Sequence, residues 1–388
     1  MLPFTSIDFF VFLMGTIVLM GGFRFLLRRW VPFPSAILIL SLIYLLFFYP
    51  KPFHVLILAG WAYLITTLFI SVFQIRKKIS GILLLLVPLL LVKSTIRFDT
   101  YPFALNDVIS FAGLSYISFR IISLYMDMEP GSKPVNGFRY LSYLIFTPTI
   151  LIGPIDRYDH FSKDLDGGYT QVNAAGLKQG IDWMLYGLIY KFVIAELISR
   201  YWLDRFPSES RACLDMLMNM YGYYLYLFFD FAGYSYMAMG AGKMLGMAVP
   251  INFNFPFLAR NPQDFWRRFH ITLGDWLKDY FFTPLYTFFT RQKRLKAYPL
   301  MRQNVALFLT FLLMGCWNGF TENFILSGAL FGLYSIVHNS YVYHCRRRQR
   351  DLFFGNLPER YVKLFSIIIM FNLAAFAIYI FSGRCPCL

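Results

Sequence analysis

The feature that leaves this chain the fewest options is a succession of long apolar runs separated by short basic clusters. The runs lie near residues 9–27, 34–50, 54–74, 79–93, 105–126, 138–153, 180–200, 216–247, 304–317, 324–343 and 361–382. An α-helix rises about 1.5 Å per residue, so about 20 apolar residues cross the hydrocarbon core of a bilayer. Lipid offers the backbone no hydrogen-bond partner, and helices satisfy theirs internally. The pattern therefore predicts an all-α polytopic membrane protein. Composition agrees: 58% of the 388 residues are hydrophobic, 20% aromatic and only 15% charged, far from the balance of soluble domains.

The net charge of +15 raises the question of nucleic acid. The basic residues are, however, gathered as "RR" 28–29, "RKK" 76–78, "RQKRLK" 291–296 and "RRRQR" 346–350, between the apolar runs. Such clusters keep short loops on the cytoplasmic side, so no nucleic-acid partner is expected. They also suit anionic lipid head groups or an acidic protein. The first run has no basic residue before it and no small-residue cleavage site after it, so it reads as a retained span. Cysteines 213, 316, 345, 385 and 387 form no paired framework, and the final "CPC" is too cramped for a metal site. No metal is expected. With no fixed-period repeat and no linker, residues 1–388 read as one membrane domain. If the clusters at 76–78 and 291–296 share a side, the five runs between them break parity. Residues 263–290, with Pro284 inside, are the suspected interfacial or re-entrant element.

In "DFWRRFHITLGDWLKDYF", Trp266, Phe269, His270, Leu273, Trp276, Leu277 and Tyr280 recur at three- and four-residue spacing, which predicts one apolar helical face. Asp264, Arg267, Arg268, Asp275, Lys278 and Asp279 occupy the other side, with Asp264 and Arg268 four apart and able to pair. An amphipathic helix anchored by tryptophans explains most of this. His270, on the apolar stripe, is either a satisfied core residue or a proton-handling group. Asp230 in "FFDFAGYS" sits inside an apolar run and needs a partner such as an arginine or a cluster of backbone amides. "GPIDR" at 153–157 suits a turn at a membrane face, and "PINFNFPFLAR" at 250–260 cannot be a regular helix. Trp317 and Asn318 stand where a further run stops, in "MGCWNG".

In this order, "FFDFAGYS", "PINFNFPFLARNPQDFWRRFHITLGDWLKDY" and "MGCWNG" resemble the membrane-bound O-acyltransferase (MBOAT) family, in its bacterial branch, over a motif core of about 100–345. The resemblance implies a ring of about 10–12 tilted helices around a tunnel. An acyl group carried on a phosphopantetheine thioester at the cytoplasmic face is there passed to a hydroxyl outside. "GLSYISFR" (113–120) and "GPIDR" are more similar to the branch that moves D-alanine toward teichoic acids than to the alginate or peptidoglycan O-acetyltransferases. That branch implies a bacterial cytoplasmic membrane, an acidic acyl-carrier protein as donor, other membrane proteins of the D-alanylation pathway as partners, and no bound cofactor. Arg267, Arg268, Lys278, Arg291, Lys293 and Arg294 would face the carrier. Asp264, Trp266, Trp317 and Asp230 would support the tunnel.

The family's two polar tunnel residues map onto His270 and Asn318. The second is ordinarily the histidine of "WHG", and here it is asparagine. Asparagine donates and accepts hydrogen bonds but takes up no proton, so the expectation is an exchange of roles: His270 as base, Asn318 as orienting partner. Two alternatives stand beside it: an O-acetyltransferase for an exported polysaccharide or peptidoglycan, and a weakly active or inactive scaffold. An acyl-enzyme route finds no cysteine or serine beside a histidine in a recognisable motif; Cys316 reads as packing. A transporter would show inverted repeats, which are not seen.

Overall fold

The computed structural model describes residues 4, 6–22, 29–71, 78–98, 113–129, 135–206, 210–348 and 358–386, without the side chains of 22, 71, 78 and 93–98. Part of the expected run at 105–126 and parts of the basic clusters at 28–29, 76–78 and 346–350 lie outside these residues. The described chain is helical, and two compact units emerge: Met1–Ile189 with Gly233–Ile251, and Tyr190–Ala232 with Asn252–Leu388. By length and apolarity, Pro52–Ile70, Pro299–Asn318 and Glu359–Phe381 qualify as spans, and Ile7–Gly21, Phe33–Phe48 and Ile79–Val92 are shorter apolar helices.

The first unit contains α1 (Ile7–Gly22), α2 (Phe33–Phe48), α3 (Pro52–Ser71), α4 (Lys78–Phe98), α5 (Leu114–Asp127), α6 (Gly137–Leu144), α7 (Tyr158–Gly167), α8 (Ala174–Leu188) and the second half of α9 (Cys213–Met244). Residues 117–125 of α5 are all buried, as a helix with apolar residues all round requires. The one charge within that buried stretch, Arg120, is 2% exposed. The guanidinium donates to the carbonyls of Tyr143 (3.0 Å), Leu144 (3.3 Å) and Thr149 (2.9 Å), closing the end of α6 and the turn after it. This accounts for the arginine of "GLSYISFR".

That node corrects one expectation. Residues 138–153 do not form a crossing: α6 has eight residues, about 12 Å. Pro148 and Pro154 lack the amide hydrogens a continued helix needs. Without this run, the stretches between the two basic clusters number four, and parity no longer requires 263–290 to be the exception. Further on, α8 lies against α9 so closely that a Cβ on Gly180 would stand 2.8 Å from the Gly240 carbonyl oxygen.

In the second unit the chain runs on from α8 through two wide, π-helical segments, Ile189–Ala195 and Ser199–Leu203, before the first half of α9. After a non-helical stretch come α10 (Pro262–Trp266) and α11 (Ile271–Leu277). A π-helical turn, Lys278–Phe282, joins α11 to α12 (Thr283–Arg291). A helical hairpin, α13 (Pro299–Asn318) and α14 (Glu322–Arg347), precedes α15 (Glu359–Phe381). Small residues let the hairpin close: a Cβ on Gly328 would meet the Phe311 carbonyl oxygen at 2.6 Å. α15 is pinned to α14 by Asn323 Nδ2 to the Phe381 carbonyl (2.8 Å) and Ser327 Oγ to the Ala377 carbonyl (2.8 Å).

Candidate active site

The "PINFNFPFLAR" stretch is irregular, as its prolines predict, and it folds back onto the segment that follows. The Asn254 amide donates to the Arg268 carbonyl (2.9 Å) and the Ile271 amide to the Asn252 carbonyl (3.0 Å), with Phe253 and Phe269 forming an antiparallel bridge between them. This pairing interrupts the amphipathic helix expected across 264–280. α10 ends at Trp266, and α11 starts only at Ile271.

His270 stands at the break, with φ 50° and ψ 50°. The left-handed region is strained for a residue with a Cβ, by about 1–2 kcal/mol. Such strain persists only where the surroundings over-determine it, and functional sites are where it gathers. Here the surroundings are specific. The imidazole Nδ1 lies 3.1 Å from Asn252 Oδ1, and the Phe231 ring meets the imidazole edge-on at 4.7 Å. Asn252 is wholly buried. Its Oδ1 also accepts from the Thr272 amide (3.2 Å) and the Thr272 hydroxyl (2.9 Å). The amide donor identifies this atom as the oxygen, so His270 Nδ1 must be the donor. In the neutral imidazole the lone pair is then on Nε2.

The expected Asp264–Arg268 pair is formed, with Asp264 Oδ1 accepting from Arg268 Nε at 2.7 Å. Asp264 Oδ2 accepts from the Arg260 amide (3.0 Å), and Asn261 Oδ1 caps the Asp264 amide (2.8 Å). The carboxylate thus holds the turn that presents His270. Arg268 also reaches the Asn254 carbonyl (3.4 Å), so its charge belongs largely to that turn. Arg267, Lys278, Arg291, Lys293 and Arg294 are exposed. The Trp266 ring packs on Phe331 (4.9 Å) and Phe311 (5.5 Å), tying α10 to the helical hairpin. Its buried Nε1 has no hydrogen-bond partner among the described residues.

Asp230 has the partner its place requires, the Lys191 ammonium of the first π-helical segment. Asn318 is the last residue of α13, as the end of the apolar run predicts, and is exposed. Its Nδ2 donates to the Met314 carbonyl (3.0 Å), and no hydrogen bond joins it to His270. Trp317 beside it is partly buried. Sequence reasoning missed Asn252 and Thr272. The signal was two asparagines set among apolar and aromatic residues in "PINFNF", but the partner of Asn252, 18 residues on, could not be read from spacing.

A multi-pass helical protein with irregular backbone beside a strained histidine that buried polar groups brace is built as a membrane-embedded enzyme. The comparisons name the kind. The model of the MBOAT, membrane-bound O-acyltransferase family matches residues 106–382, and the chain belongs to this family. It is 32% identical to the teichoic acid D-alanyltransferase of Bacillus subtilis (strain 168), over 72% of this chain and 70% of that protein. It is 30% identical to the teichoic acid D-alanyltransferase of Streptococcus thermophilus, over 77% and 74%. It is also 33% identical to the peptidoglycan O-acetyltransferase of Helicobacter pylori, over 63% and 44%. The protein is a multi-pass membrane O-acyltransferase.

Proposed function

We propose that this enzyme moves D-alanine from a phosphopantetheine thioester on an acidic carrier protein to an extracytoplasmic hydroxyl of the teichoic-acid type, with His270 as general base. The observation that carries the catalytic part is the Nδ1 contact of His270 with Asn252, which directs the basic lone pair to Nε2. The acceptor hydroxyl gives its proton to Nε2 as its oxygen attacks the thioester carbonyl. Collapse of the tetrahedral intermediate breaks the C–S bond, and the imidazolium returns the proton to the departing sulfur. Asn318, whose Oδ1 accepts no hydrogen bond from a described residue, orients the acceptor. Asp264 and Trp266 support the turn, Asp230 and Trp317 line the approach, and the whole chain acts as one membrane domain. The exposed Arg267, Lys278, Arg291, Lys293 and Arg294, with Arg268 in a lesser part, attract the acidic carrier.

The D-alanyl donor is supported by the coverage of the two teichoic acid D-alanyltransferases, 70% and 74% of their lengths, against 44% of the peptidoglycan O-acetyltransferase. The 33% identity of the latter keeps acetyl transfer as the second reading, and Asn318 at the "WHG" position favours a third, a weakly active scaffold. Reconstituted protein supplied in parallel with D-alanyl carrier and with an acetyl donor separates them. Label transfer from the D-alanyl carrier is expected. Transfer from the acetyl donor alone would overturn this reading, and transfer from neither would leave the scaffold.

A further inference from the structure

Of the three spans, α13 is the least covered by the rest of the protein. Only 22% of its apolar window is buried, against 44% in Pro52–Ile70 and 39% in Glu359–Phe381. Its open side is not smooth. A groove of about 560 Å³ runs along it, lined by Leu300, Met301, Val305, Phe308 and Leu309 of α13 and Ile336 of α14. Asn304 borders the groove too, but its amide is engaged inside the hairpin: Nδ2 donates to Ser340 Oγ (2.9 Å) and Oδ1 accepts from Asn339 Nδ2 (2.6 Å). The wall is therefore apolar. The indentation has a cause in the sequence, because α14 presents no side chain at Gly332, where a Cβ would meet the Phe308 ring at 2.9 Å.

Charge marks one end of this groove. α13 and α14 are antiparallel, and the Asn304–Ser340 bond brings the start of the first to the end of the second. Lys296, Arg302, Arg346 and Arg347 gather there. The only acidic residue between Tyr280 and Arg348 is Glu322, at the start of α14 and about 36 Å away along the helix, so nothing in the hairpin neutralises this collar. Arg302 stands within the groove's own stretch, and its buried Nε has no hydrogen-bond partner among the described residues. Tyr298, 59% exposed, has the place of an interfacial anchor, and basic loops are cytoplasmic. The groove thus lies in the cytoplasmic leaflet. From Leu300 to Leu309 it runs about 14 Å, close to half of the hydrocarbon core of about 30 Å.

We propose that the groove holds one acyl chain of an anionic glycerophospholipid of the cytoplasmic leaflet, with the phosphate on the collar of Lys296, Arg302, Arg346 and Arg347. Three properties select this occupant. The length of the groove is that of an acyl chain in one leaflet. Its wall is built from leucine, methionine, valine, phenylalanine and isoleucine, whereas a partner span packs best on small residues that let backbones approach. The collar calls for a negative head group, and a guanidinium with a free Nε is well shaped for a phosphate. The lipid then covers the outside of the hairpin whose residues Phe311 and Phe331 carry the Trp266 ring, and it leaves Arg291, Lys293 and Arg294 to the carrier. The site is independent of the identity of donor and acceptor.

The test titrates the full purified chain in detergent with phosphatidylglycerol and, in parallel, with phosphatidylcholine of identical chains, and counts bound lipid by native mass spectrometry. One phosphatidylglycerol is expected to bind, about tenfold more tightly than phosphatidylcholine. A basic residue beside an anionic lipid is worth about a fivefold change in affinity, so Arg302→Gln and Arg346→Gln should each weaken phosphatidylglycerol by that factor and leave phosphatidylcholine unchanged. Met301→Trp and Val305→Trp fill the groove from positions 53% and 37% exposed, and both should lose the lipid, whereas Ile368→Trp, on the apolar outside of α15, should keep it. Monodisperse elution checks the fold of each variant. Equal affinity for the two lipids overturns the collar, and phosphatidylglycerol retained by the folded groove variants overturns the groove. Loss of the lipid in Ile368→Trp as well overturns a specific site in favour of a general lipid layer. A parent dimer that Val305→Trp separates, with lipid binding unchanged, overturns the proposal in favour of a second copy.

Discussion

The Nδ1 of His270 is 3.1 Å from the Oδ1 of Asn252, a buried oxygen that also accepts two hydrogen bonds from Thr272. One amide oxygen therefore sets the imidazole tautomer and fixes the first turn of α11. Asn252→Ala leaves three donors without their acceptor, and turnover is expected to fall about 10²-fold through misplacement of the base. Asn252→Asp, which keeps an acceptor oxygen, should retain more activity than Asn252→Ala in the same transfer assay. Equal activity of Asn252→Ala and the parent would remove Asn252 from the account.

The left-handed backbone at His270 separates fold from function. Glycine adopts φ 50° without a Cβ penalty, so His270→Gly should be more stable than His270→Ala by about 1 kcal/mol, although both lack the base. Thermal midpoints of the two purified variants check this. The reverse order would mean that the turn relaxes on substitution.

Close backbone approach in the α13–α14 hairpin predicts a sharp cost for one methyl group. A Cβ on Gly328 meets the Phe311 carbonyl oxygen at 2.6 Å, so Gly328→Ala should destabilise by about 1–3 kcal/mol. Gly60 in α3 has nothing within 4 Å of its added Cβ, and Gly60→Ala should be neutral to stabilising by about 0.5–1 kcal/mol. Thermal unfolding in one detergent compares them directly.

Outside the spans, α7 carries a titrating histidine. His160 Nδ1 bonds Asp156 Oδ1 at 2.8 Å, and this hydrogen bond holds the imidazole above its ordinary 6.5. The folded form binds the proton more tightly, so the contribution is fully present below 6.5 and is lost as pH rises through the raised value. Stability of the parent should therefore fall between about pH 6 and pH 8 relative to His160→Gln. Parallel curves for the two proteins across that window would show that the pair contributes nothing.

Much of this was legible in the sequence because apolar length and motif order are local properties. The helical class, the end of α13 at Asn318, the Asp264–Arg268 pair and the irregular 250–260 stretch follow from runs, spacing and proline. What stayed hidden depends on pairing across distance. The break at His270 comes from backbone bonds between 252–254 and 268–271, which override a helical period that looks continuous through 280. Lys191 as the partner of Asp230 depends on a π-helical turn that no periodicity announces. The short α6 replaced an expected crossing because Arg120 closes it from another helix.

The central claim is that His270 supplies the base in place of the residue that Asn318 has replaced. It is tested most directly by single-turnover transfer from a labelled D-alanyl carrier in vesicles, comparing the parent, His270→Gln and Asn318→His. The account predicts that His270→Gln loses about 10² to 10⁴ in rate with carrier binding unchanged, while the parent is already active without a histidine at 318. Parent-like transfer by His270→Gln, or activity that appears only in Asn318→His, would contradict it.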